Sequence, residues 1–153
     1  MKKRIISIIM VVLSLSVFSN AFAINHIETE NNTISVIVPK SSSYLSTYRV
    51  SLVADSNQRM AINISVNGTS TMDKIGVSAI RIDQKVNGTW STYDTLYAID
   101  NPNFYQYNTA NYVDTVSFYG TQGTEYRVTI TAYAGKSGRY DSGTVTSYTA
   151  ICK

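Results

Sequence analysis

Between residues 59 and 66 every second side chain is a large apolar one. Met60, Ile62, Ile64 and Val66 alternate with Ala61, Asn63 and Ser65. Successive side chains of a β-strand point to opposite faces, so a period of two buries one complete face only if the backbone is extended. The same alternation returns at 48–54, with Tyr48, Val50, Leu52 and Ala54 on one side and Arg49 and Ser51 on the other. Residues 34–38 form a shorter run that stops at Pro39. An edge strand suits it, because Pro has no N–H for the ladder. Residues 74–86 carry Ile75, Val77 and Ala79 in one phase and Ile80, Ile82, Gln84 and Val86 in the other. Such a slip is expected of a bulge, or of a strand that bends between sheets. Asn87-Gly88 follows, the dipeptide best suited to the two positive φ angles of a type I′ hairpin turn, and it predicts a partner strand over 89–99. Further strands are expected at 112–119, 124–134 and 144–151, separated by a polar loop at 100–111, a turn at 120–123 and a loop at 135–143. About eight short strands at this spacing point to a sandwich or barrel, and the expectation is a single antiparallel all-β sandwich of about 7–8 strands. No helix, internal repeat or linker is legible after the first 23 residues.

Those first residues have the three parts of a secretory signal: Lys2-Lys3-Arg4, an apolar run over 5–18, and small residues Ala21 and Ala23 framing a cleavage site. The run is only about 14 residues, against roughly 20 for a membrane span. The expected organisation is therefore a signal peptide over 1–23, a loose arm over 24–32 and one domain over 33–153, exported and either released or held non-covalently at the cell wall. The chain has 13 basic and 10 acidic residues. Removing Lys2, Lys3 and Arg4 leaves 10 of each, so the mature part lacks the basic footprint of a nucleic-acid binder. A lone Cys152 cannot close an internal disulfide, which leaves an intermolecular bond or an inert thiol.

The segment Gly123-Thr124-Glu125-Tyr126-Arg127-Val128-Thr129-Ile130-Thr131-Ala132 resembles the penultimate strand of a fibronectin type III or immunoglobulin-like sandwich. The resemblance implies that Tyr126 makes a tyrosine corner, its hydroxyl reaching upstream backbone while its ring packs in the core. A second resemblance covers 75–151, through Ile82-x-Gln84, Asn87-Gly88-x-Trp90, Gly123-x-x-Tyr126-Arg127-Val128 and Tyr148-Thr149-x-Ile151. These residues are similar to a family of small exported proteins from Firmicutes whose function is uncharacterised. That implies export from a Gram-positive cell and carries over no activity.

Catalytic chemistry finds little support. His26 is the only imidazole and falls on the expected arm, whereas a nucleophilic Ser or Cys needs an oriented base beside it. One His and one Cys cannot make a zinc site, and Asp100-Asn101-Pro102-Asn103 lacks the later ligands of a calcium loop. No metal or cofactor is expected. A carboxylate-dependent hydrolase would draw on Asp83, Asp94, Asp100, Asp114, Glu125 or Asp141, and a bacteriocin-like secreted effector is a further alternative. The informative excess is aromatic: 12 tyrosines against 4 phenylalanines and 1 tryptophan. Trp90, Tyr93, Tyr97, Phe104, Tyr105, Tyr107 and Tyr112 crowd into one stretch. Tyr joins a rigid contact area to a hydroxyl, as recognition surfaces favour, and it also fits a half-buried pleat. The leading expectation is a non-catalytic binding module whose aromatic stretch contacts an envelope glycan or a protein.

Overall fold

The computed structural model describes residues 23–29, 32–38 and 42–153. The chain is all-β and antiparallel, and the sheet curls into a half-barrel. In chain order the described strands are β1 (Ala23–Thr29), β2 (Asn32–Val38), β3 (Leu45–Ala54), β4 (Arg59–Val86), β5 (Thr89–Tyr97), β6 (Tyr105–Tyr119), β7 (Glu125–Lys136), β8 (Arg139–Thr146) and β9 (Ala150–Ile151). One 3-10 turn, Pro102–Phe104, precedes β6.

The organising element is β4, 28 residues long. Its first half pairs with β3 on one side and β6 on the other, for example Ile62 with Leu52 and Val116. Its second half pairs with β7 on the first side and β5 on the second, as Ile82 does with Val128 and Asp94. The two alternating runs at 59–66 and 74–86 are thus one strand. Register irregularities between Asn67 and Met72 let it bend where the partners change. The bend brings β3 against β7 and β8. Both apolar runs then face one core, with Met60, Ile62, Val66, Ile75, Val77, Ile80 and Ile82 fully buried. The expected phase slip is a bulge at Ser78: the β4–β7 register jumps from Val77 to Ala79, and the inward phase moves from Ile75 and Val77 to Ile80 and Ile82.

On β7 the inward residues are Tyr126, Val128, Ile130, Ala132 and Ala134, each without exposed surface. Asn87 and Gly88 both have positive φ, 50° and 80°, as the type I′ turn between β4 and β5 demands. Other expectations differ from the structure, among them the strand predicted over 144–151, which is β8 as far as Thr146 and β9 from Ala150. Residues 105–111, predicted as loop, begin β6, because their backbone finds partners on β4 from Gly76 to Asn67. The loop predicted at 135–143 is a tight turn at Ser137 and Gly138, with φ of 52° and 76°, leading into β8. Residues 24–29, predicted as arm, pair with β2 throughout, Ile27 facing Ile34 and His26 facing Ser35 in register. Of the expected signal segment, Ala23 opens β1, and the rest, Ala21 included, lies outside the described residues.

Candidate functional site

Residues directly opposite one another on neighbouring strands share a face, so register defines what the outer face of β4, β5, β6 and β7 displays. Where Ile75, Ile80 and Ile82 point into the core, Lys74, Arg81 and Lys85 point out. Opposite Lys74 stands Tyr107, opposite Gly76 stand Tyr105 and Tyr133, opposite Ala79 stands Tyr97, and opposite Lys85 stands Trp90. Two aromatic groups form on this face.

The first is a row of tyrosine rings. Tyr105 and Tyr133 flank Gly76, and their rings meet edge to face with centroids 5.5 Å apart. Tyr133 in turn stacks on Tyr140 at 5.1 Å with 21° between the planes. Glycines make the floor under this row. A Cβ on Gly76 would run into the carbonyl oxygen of Phe104, and its φ of 151° disfavours any L side chain. A Cβ on Gly135 would lie 2.8 Å from the Tyr133 hydroxyl, so that ring passes over Gly135 on its way to Tyr140. The Lys74 ammonium sits 3.7 Å from the centre of the Tyr105 ring and 5.5 Å from that of Tyr133. Pairs of this kind contribute about 0.5–1.5 kcal/mol each, enough to fix rotamers but not to hold the fold. Burial, then the neighbouring Tyr133 and Tyr107, push the Tyr105 hydroxyl above its ordinary value; burial, then Tyr140, does the same for Tyr133. Both therefore remain neutral hydrogen-bond donors at neutral pH. Beside the row, Tyr97, Tyr105, Tyr107 and Lys74 line an open groove of about 450 Å³ with Ile99 and Pro102 at its rim.

The second group surrounds Asp83. Its carboxylate, with only 5% of the side chain exposed, is bridged by Arg81 and Arg127, each with an N–O distance of 3.2 Å. The Arg127 guanidinium lies 4.4 Å from the Trp90 ring centre, and Lys85 bonds Glu125 at 2.8 Å. Trp90 thus covers a neutralised ion-pair lattice rather than an open cation.

The aromatic stretch of the sequence is therefore divided. Tyr97, Tyr105 and Tyr107 come together; Trp90 shares their face at a distance along the strands. Tyr93 belongs to another cluster, donating to the Tyr119 carbonyl at 2.9 Å and packing against Phe118 and Tyr126. Phe104 and Tyr112 leave the set of contact residues altogether. They are 5% and 1% exposed: Tyr112 stands opposite the buried Val66, and Phe104 is the buried residue of the 3-10 turn. Lys74, Tyr133 and Tyr140 join it, unsuspected from a window of sequence because they come from β4, β7 and β8. The legible signal was phase: in 124–134, Tyr133 is the one aromatic residue out of step with Tyr126, Val128 and Ile130. Tyr126 itself is fully buried, and its hydroxyl accepts a hydrogen bond from the Thr121 N–H at 2.9 Å.

Five of the six acidic side chains weighed for hydrolysis, all but Asp100, have local partners among the described residues. Besides Asp83 and Glu125, Asp141 accepts from the Ser42 hydroxyl and the Tyr44 N–H at 2.6 and 2.7 Å. Asp114 accepts from the Tyr112 hydroxyl at 3.0 Å. Asp94 accepts from the Thr95 N–H at 2.7 Å. Among the described residues no three His, Cys, Asp or Glu side chains gather as a metal-binding group, and no helix is long and apolar enough to cross a membrane. No protein-family model matches this chain, and no curated protein matches it either.

Proposed function

We propose that this chain is an exported, non-catalytic glycan-binding module, and that its binding surface is the tyrosine row with its groove on the outer face of β4, β6 and β7. The observation that carries the proposal is the set of ring positions. Tyr140, the outer ring of the row, is 62% exposed, yet the row is held by ring contacts and by the glycines beneath it, and Tyr97 and Tyr107 beside it are 53% and 62% exposed. Rigid aromatic planes open to solvent present a stacking surface to the apolar faces of sugar rings, at little entropic cost on binding. The engagement of five of the six named carboxylates, Asp83, Asp94, Asp114, Glu125 and Asp141, by neighbours is consistent with binding without hydrolysis. Export rests on the three-part pattern of residues 1–23. The resemblance to exported Firmicutes proteins over 75–151 suggests the Gram-positive envelope as the place of action. The Tyr126–Thr121 hydrogen bond is what a fibronectin type III-like tyrosine corner calls for, and we assign the fold to that kind of sandwich.

Co-sedimentation of the purified protein with isolated cell walls and insoluble polysaccharides tests the proposal. Tyr107→Ala together with Tyr140→Ala is expected to weaken saturable binding by about tenfold or more, the loss of one or two stacking contacts. Trp90→Ala is expected to weaken it far less. No binding by the native chain, or equal binding by the double variant, would defeat the assignment.

A further inference from the structure

We propose that the groove selects glycans bearing a negative charge, with Lys74 as the residue that receives it; the inference rests on the glycan-binding reading above. Three other cations on the outer face are already paired: Arg81 and, from β7, Arg127 hold Asp83, and Lys85 holds Glu125. Lys74 is different. Among the described residues no carboxylate lies within ion-pair distance of it, and its recorded partners are the faces of Tyr105 and Tyr133. The adjacent acid is turned elsewhere, since the Asp73 carboxylate accepts the Ser137 N–H at 2.7 Å.

A half-buried ammonium resting on a ring gives up part of its hydration, and a ring face returns only part of what a counter-ion would supply. The cation stands at the wall of the groove, beside the exposed planes of Tyr97 and Tyr107. A sugar ring stacked on one of those planes would bring a carboxylate or phosphate substituent toward Lys74. Charge complementarity then names the ligand class: an acidic polysaccharide rather than a neutral one. The neutral hydroxyls of Tyr105 and Tyr133 add donors and no repulsion.

The test compares binding of the full protein to polygalacturonate and to its methyl ester, polymers with the same rings and different charge. Gram-positive cell walls, before and after extraction of their anionic polymers, form a second arm that separates a phosphate source from a carboxylate one. The native chain is expected to prefer the acidic polymer by about tenfold, the worth of one charge-assisted contact, and the preference should shrink with added salt. Lys74→Gln should abolish the ratio between acidic polymer and ester, with far-ultraviolet circular dichroism showing that the variant is folded, and Lys74→Arg should restore the ratio. Equal binding of polymer and ester, still lost in Tyr107→Ala, would overturn the acidic selectivity and leave the tyrosine platform standing. A preference that survives Lys74→Gln would overturn the role given to Lys74. Binding to none of the probes would overturn both this inference and the glycan reading beneath it.

Discussion

Position 76 admits no side chain. Its φ of 151° lies outside what L residues favour, and a Cβ there would collide with the Phe104 backbone that begins the approach to β6. Gly76→Ala must therefore displace either the 3-10 turn or Tyr105, and unfolding in denaturant should show a loss of about 2–4 kcal/mol. The row of rings would loosen with it, so near-ultraviolet circular dichroism should lose intensity in the tyrosine region. Cys152 offers a second check at this scale. It is 2% exposed, and its sulfur faces the Gln58 carbonyl and Gly120. The folded chain should leave a thiol reagent unreacted, and one equivalent should react once denaturant is added. An intermolecular disulfide would require the C-terminal strand to come away first. Tyr126→Phe keeps the ring and strips the hydroxyl from the Thr121 N–H, a loss of about 1–2 kcal/mol.

Hairpins decide the elements. Ser137 takes a positive φ of 52° ahead of Gly138, a position where Asn is better tolerated. Ser137→Asn should raise stability by roughly 0.5 kcal/mol, measured as a higher denaturation midpoint with an unchanged slope. This turn was hidden in the sequence, read there as part of a loop over 135–143, whereas Asn87-Gly88 was plain because its dipeptide is nearly unique to one turn type. Alternation revealed the strands wherever one face is buried and the other polar, as at 59–66 and 124–134. It could not reveal that 59–66 and 74–86 are one strand. The intervening Asn67-Gly68-Thr69-Ser70-Thr71 carries no alternation, and the two runs are joined by long-range pairing at its ends, Asn67 with Asn111, Gly68 with Leu45 and Met72 with Thr109. The site was legible in part for the same reason. Tyr97, Tyr105 and Tyr107 lie close in sequence, but Lys74, Tyr133 and Tyr140 reach them only through the register of long-range pairs.

At the scale of the whole molecule, one carboxylate ties the segment before β3 to β8. Burial opposes the ionisation of Asp141, but the Ser42 hydroxyl and the backbone N–H groups of Tyr44, Ser43 and Leu45 outweigh it and hold the carboxyl below its ordinary value of 3.8. A carboxyl lowered in the folded state adds stability that is present above its unfolded value and lost as the pH falls through the folded one. Stability should therefore decline on acidification below about pH 4. Asp141→Asn should cost about 1–2 kcal/mol near neutral pH, allowing for partial solvent exposure. The difference from the native chain should close when both are unfolded at about pH 2.5, well below the ordinary carboxylate range. A gap that stays constant across this range would mean that the amide disturbs packing rather than charge.

The length of β4 also dictates an order of assembly. As the chain emerges, β3 and then β5 can fold back on β4 as local hairpins, one on each side and each along only one half. The remaining half-edges wait for residues 105–119 and 125–136, and they lie on opposite sides of the same strand. Closing them requires contacts distant in sequence, which places folding on the millisecond-to-second scale of β proteins. Until then a partly synthesised chain presents two unfilled ladders facing in opposite directions, either of which another nascent copy could occupy.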